Sequence, residues 1–177
     1  MQELPRLTRG EQAAPLLERR EAIEAAIRAV LNGRAEDDVF NRLILGTGLA
    51  AREADWLRAF YRYLPQASVA FTIYTVVDAL RGAPVVTRAL IELFRVRHDP
   101  SFDGDPAVCA SLAEEAIRAG LGGVAAINDD RLLRLYWSVI CPILRTHAFA
   151  PAGAEALAFK FDSARVPNLP RPVPWRE

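Results

Sequence analysis

The chain has 177 residues, 51% of them hydrophobic and 25% charged, with 22 acidic side chains against 22 basic ones. This length and composition fit one globular domain with at most a small appendage, and they exclude an intrinsically disordered chain. The balanced charge leaves no net field to draw in nucleic acid, an anionic membrane or a polyacidic partner. Lys160 is the one lysine among the basic residues. That bias reads as genome composition rather than arginine-based recognition, although arginine offers the better bidentate fork.

The first amphipathic pattern covers residues 11–32, where Leu16, Ile23, Ile27, Val30 and Leu31 recur at helical steps and predict one buried stripe. Gly33 supplies a left-handed stop. A second helix is expected over 35–46, opening on acids and closing on Gly46, with Val39, Phe40, Leu43 and Ile44 inward. A third runs from Thr47 to Leu64 with Leu57, Phe60, Tyr61 and Leu64 as core, ended by Pro65. Thr72 caps a fourth, with Ile73, Val76, Val77 and Leu80 inward and Gly82 as its stop. Pro84 sits in the first turn of a fifth that reaches Val96, with Leu90, Ile91 and Phe94 inward. Asp105 and Pro106 open a sixth, with Val108, Leu112, Ala116 and Ile117 inward. Asn128, Asp129 and Asp130 cap a seventh, whose apolar face extends through Ile143 and Leu144 with a kink at Pro142.

The C-terminus reads differently. Residues 157–162 alternate like a short strand, and Pro167, Pro170, Pro172 and Pro174 then impose an extended tail. The expected fold is therefore all-α, an array or bundle of about seven helices, with a short strand and a Pro-rich tail. Residues 1–150 form the helical domain, and 151–177 form a connector toward a domain absent from this chain. The tail reads as part of a longer polypeptide. No secretory signal opens the chain, and no apolar run approaches the ~18 residues of a membrane span. Cys109 and Cys141 lie in helical patterns without metal spacing, as buried reduced thiols of a soluble, cytoplasmic protein.

Several clusters invite a chemical reading. Gly46-Thr47-Gly48 lacks the lysine of a phosphate loop and follows no strand, so it reads as helix-end glycines. Asp37, Asp38 and Asn41 suggest a metal site, and with it a metal-dependent hydrolase. Three adjacent residues supply too few oxygens for a hard cation, however, and N-terminal capping is preferred. His98, Asp99, Asp103 and Asp105 lack the ligand order of a calcium loop and read as a solvated linker. Arg145 and His147 suit the C-terminal end of a helix better than catalysis, because no nucleophile is tied to either histidine. Asp129, Asp130, Arg131 and Arg134 give ion pairs at helical spacing. Trp56, Tyr61, Tyr63, Tyr136 and Trp137 suggest base stacking, but neutrality favours packing. The residues thus offer no catalytic, cofactor-binding or metal site.

Several stretches nevertheless occur together in a telling order. They are Leu4-Pro-Arg-Leu-Thr-Arg9, the run from Arg34 to Leu45, Leu57-Arg-Ala-Phe-Tyr-Arg-Tyr-Leu64, and Leu90-Ile-Glu-Leu-Phe94 with His98-Asp-Pro. Asp129-Asp-Arg-Leu-Leu-Arg134, Leu144-Arg-Thr-His147 and the run from Phe159 to Pro170 complete the series. In that order they resemble the large bacterial NAD-specific glutamate dehydrogenases. Val39, where that family usually has glycine, and Ala50-Ala51, where an aromatic residue is common, depart from the pattern. The resemblance implies a helical, structural or regulatory segment just before the catalytic domain. It also implies NAD as cofactor of the full enzyme, the catalytic domain of the same polypeptide as partner, and a homo-oligomer. No catalytic residue carries over. The alternative is a freestanding helical module that binds a protein partner.

Overall fold

A computed structural model describes residues 20–67, 71–154 and 156–175. Among them are seven α-helices: α1 (Arg20–Leu31), α2 (Arg42–Thr47), α3 (Ala51–Tyr63), α4 (Ile73–Gly82), α5 (Pro84–His98), α6 (Pro106–Leu121) and α7 (Ile127–Ile140). Two strands, β1 (Ile143–Thr146) and β2 (Phe159–Phe161), pair antiparallel. The fold is mostly α, as expected. The predicted helix over 11–19 lies outside the described residues.

The local chemistry explains most of the helix starts. The Thr72 hydroxyl accepts from the Thr75 amide at 3.2 Å, and Asp105 accepts from the amides of Ala107 (2.9 Å) and Val108 (3.2 Å). Each satisfies first-turn donors that have no intrahelical partner. Pro84 and Pro106 occupy first-turn positions of their helices, where a missing amide is harmless. At α3 the Glu53 carboxylate reaches back to the Ala50 amide at 2.8 Å, so this helix starts at Ala51 rather than Thr47.

Several further boundaries differ from the sequence reading. Residues 35–38 are not helical; Asp38 caps a short 3-10 turn at Val39–Asn41 that leads into α2. Gly46 lies inside α2, and the left-handed stop is Gly48 at φ 77°. Helix α7 ends at Ile140, before Pro142, so Ile143 and Leu144 continue as strand instead of helix. Proline removes the amide that the next helical turn would use, and β pairing takes over. Asn128 is not the cap of α7 either; Ala126 holds that position, and Asp129 and Asp130 lie in the first turn.

The core joins α3, α4, α5 and α7 through Leu57, Phe60, Val76, Leu80, Leu90, Phe94, Leu132 and Tyr136, all buried. Helix α2 packs on α4 and α5, α6 covers α5, and α1 touches α2 and α3. Val86 lies against Gly120, while Arg97 reaches Glu114, so α5 and α6 run antiparallel. A Cβ on Gly120 would meet Val86 Cγ2 at 2.6 Å; glycine permits this close approach. That packing also rotates α6 from its expected face. Ala113, Ile117 and Leu121 are buried, whereas Val108 and Leu112 are exposed. The α1 stripe is likewise poorly covered, with Ile27 54% and Leu31 80% exposed.

The β-hairpin closes one end of the helical body. Phe161 stacks on Tyr63 at 4.3 Å, and Phe159 lies 5.2 Å from the Phe60 ring. Between the strands, a Cβ on Gly153 would collide with the His147 carbonyl oxygen. Only a glycine fits there.

Candidate functional site

The most concentrated polar cluster centres on Arg58, a charged residue buried in the middle of α3 with 3% exposure. Its guanidinium donates to both carboxylate oxygens of Asp38, at 2.7 and 2.8 Å. It also donates to Asp55 and, at 3.3 Å, to the side-chain oxygen of Asn41. The Phe40 ring lies 5.5 Å away. Desolvation acts to lower the Arg58 pKa, but the contacts with Asp38 and Asp55 outweigh it and raise the pKa. Burial holds the Asp55 carboxyl above its ordinary value despite the pull of Arg58.

This geometry decides the role of the acidic cluster. Asp38 accepts from Arg58 and from the Phe40 backbone amide at 2.9 Å, and the Asn41 side-chain Nδ2 donates to the Glu36 carbonyl at 2.9 Å. Asp37 is exposed. The Asp38 carboxylate and the Asn41 side-chain oxygen are already engaged in bracing the turn before α2 against α3. Among the described residues no group of acids, histidines and cysteines is arranged to hold a metal. Capping is the observed role of Asp38; Arg58 is its partner, and no local pattern in the sequence points to it.

The other clusters disperse in the same way. Asp99 accepts from the amide and hydroxyl of Ser101 at 2.9 and 2.6 Å, and these bonds lower its pKa. Asp105 caps α6. His98 ends α5 with its ring 5.2 Å from Phe94, and its buried Nε2 has no hydrogen-bond partner among the described residues. Burial, helped by the Arg97 charge, depresses its pKa to about 4. Arg145 and His147 do not end a helix: Arg145 is in β1, and His147 Nδ1 accepts from the Ala158 amide at 3.3 Å. The Asp130–Arg134 pair forms at 2.8 Å; Arg134 holds the Asp130 pKa below its usual value.

Trp56, Tyr63 and Tyr136 are buried, and the Tyr136 hydroxyl donates to the Leu57 carbonyl at 3.1 Å. Trp137 is half-buried beneath Arg118. These rings pack the interior rather than forming a stacking platform. Both cysteines are free and half-buried, and burial raises the Cys141 pKa. Thr47, between the two glycines, is buried and donates its hydroxyl to the Leu43 carbonyl at 2.7 Å. These glycines lie at the C-terminal, electronegative end of α2, the wrong polarity to cradle a pyrophosphate. None of the described helices is long and apolar enough to cross a membrane.

The described residues thus form a helical body closed by a β-hairpin, with polar clusters at its turns and helix ends. Residues 35–100 match the family pattern "Glutamate dehydrogenase, helical motif 3", and residues 116–177 match "Bacterial NAD-glutamate dehydrogenase, catalytic domain". An NAD-specific glutamate dehydrogenase of Halomonas elongata is 36% identical over 159 residues, which are 86% of this chain and 10% of that protein. The Pseudomonas aeruginosa protein of the same name is 35% identical over 164 residues, 89% of this chain and 10% of that protein. A Mycobacterium tuberculosis NAD-specific glutamate dehydrogenase is 30% identical over 158 residues, which are 86% of this chain and again 10% of that protein. The chain belongs to the bacterial NAD-specific glutamate dehydrogenase family, and it spans about 10% of the length of these relatives.

Two outcomes follow from the geometry. Replacing Arg58 with Met leaves Asp38 and Asp55 facing an apolar group, and stability falls by about 3 kcal/mol in urea unfolding. An Arg58→Lys change retains only part of that stability, because an ammonium cannot serve both carboxylates as a fork; a loss under about 1 kcal/mol with Met contradicts this assignment. His98 is neutral in the folded state at neutral pH, while in the unfolded chain it gains a proton near its ordinary value of 6.5. Between pH 6.5 and 4 the unfolded state therefore binds more protons, so stability falls as pH drops through that window. Replacing His98 with Phe should flatten this limb in unfolding curves taken at pH 7 and 4.5; an unchanged slope contradicts it.

Proposed function

We propose that this chain is a structural or regulatory segment of an NAD-dependent glutamate dehydrogenase, not catalytic by itself, that packs beside the catalytic domain of the same polypeptide. The observation that carries the reading is the succession of two patterns of that family on one chain, a helical motif over residues 35–100 and a catalytic domain over residues 116–177. The polar contacts of Asp38, Arg58, Asp99, Asp105 and Asp130 support it, since they serve internal capping or pairing. The full enzyme would oxidise L-glutamate to 2-oxoglutarate and ammonium, with hydride passing to NAD, as a homo-oligomer in the cytoplasm.

In this reading residues 1–150 are the helical body and 151–177 lead into the catalytic domain. The packing of α7 on α3, α4 and α5 supports a body that continues through Ile140, although the catalytic-domain pattern begins within α6. Sequence order and folded unit need not share a boundary, because a helix is kept by whatever it buries against. The helical body would fix the position of the catalytic domain and the contacts between subunits.

The test is glutamate-dependent NADH formation, measured for the 177 residues alone and for the polypeptide made from the uninterrupted gene. The proposal expects no turnover by the former and turnover by the latter. Deamination by the 177 residues alone would overturn it.

A further inference from the structure

At the end of α5 remote from the hairpin, the surface opens into an apolar groove. Val86 packs against Gly120 there, whereas Phe94, about two turns further along α5, meets the hairpin through Phe159. The groove has a volume of about 490 Å³ and lies between the α4–α5 junction and the stretch that leads from the end of α6 into α7. Val85, Val86 and Val124 line it, and Gly82 opens it. Gly82 is not left-handed, so its backbone does not call for glycine. A Cβ at Gly82 would meet nothing within 4 Å, so internal packing does not call for glycine either. The space stands open to an incoming side chain.

A side chain suited to that space stands beside it. Ile127, at the start of α7, is 85% exposed, and its chain neighbour Ala126 lines the groove. An apolar knob next to an apolar groove on one face is the arrangement of an isologous contact, in which a two-fold axis places the knob of each copy in the groove of the other. The charges agree with it. Asp129 lines the groove, and Arg131 follows Ile127 by four residues, hence on the same face of α7. Neither charged side chain has an ion-pair or hydrogen-bond partner among the described residues, since the neighbouring pair is Asp130–Arg134. When Ile127 enters a facing groove, Arg131 arrives beside the Asp129 that lines it, and the two-fold forms this ion pair twice.

We propose that this patch binds a second copy of the chain, with Ile127 of each subunit seated in the groove of the other and Arg131 paired with Asp129 of the partner subunit. The occupant follows from the self-complementarity of the patch: the knob, the groove and both unpaired charges lie together on one face. The hairpin packs at the other end of α5, so the contact does not compete with it. The inference names the surface of the homo-oligomer in the proposed function, and it rests on that part of the reading.

Sedimentation equilibrium of the 177 residues tests it. The chain should form dimers, and Ile127→Glu should weaken them at least about 10-fold while helical circular dichroism stays unchanged. Asp129→Arg and Arg131→Asp should each weaken the dimer about 10-fold, and the two changes together should return it to within about 3-fold of the original. A chain that stays monomeric up to about 0.1 mM overturns the contact. So do dimers that ignore Ile127→Glu, or two charge changes whose losses simply add. Should the contact fail, the polypeptide made from the uninterrupted gene separates the two ideas: if it assembles, the contact alone is overturned, and if it is monomeric, the homo-oligomer falls as well.

Discussion

The ring of Phe94 is the contact on which the fold depends. It sits on α5 with no exposed surface. It meets Trp56 at 5.1 Å, Phe60 at 5.3 Å, Phe149 at 5.6 Å and Phe159 at 6.0 Å. Those partners come from α3, from the segment after β1 and from β2, so one side chain ties the helices to the hairpin. Burying an aromatic ring of this kind contributes several kcal/mol, and edge-to-face neighbours add about 1 kcal/mol each. The same apolar setting keeps His98, one helical turn further on, in its neutral form.

The parts of this architecture visible in the sequence are those set by nearest neighbours. Thr72, Pro84 and the Asp105–Pro106 pair mark helix starts because a cap acts within three residues. Gly33 turns left-handed at φ 66°, as its position suggested. Strand β1 was hidden because its partner Phe161 is 18 positions beyond Ile143, and the apolar residues before it continue a helical period. The true face of α6 was also concealed. Small residues face α5 and allow close approach, while Val108 and Leu112 lie outside, a choice that hydrophobicity alone does not make.

The family was legible by a different route. Taken one at a time, Asp38, Asn41, His98 and His147 each resembled a chemical group in search of a site. In the folded chain Asp38 and Asn41 brace a turn, His98 packs against a ring, and His147 accepts a backbone amide. Arg58 could not be found by local pattern, since its main partner lies 20 residues earlier. The family emerged from the order of many weakly specific stretches, and the matches to a helical motif and a catalytic domain agree with that order.

The account makes the hairpin and the helices one folded unit joined at Phe94. Urea unfolding followed at once by helical circular dichroism and by the Asp162 amide inside the hairpin tests this most directly. The account predicts coincident transitions, which shift together to lower urea when Phe94 is replaced by Leu. A hairpin transition that precedes the helical one, or a Phe94→Leu change that moves only one of them, would contradict it.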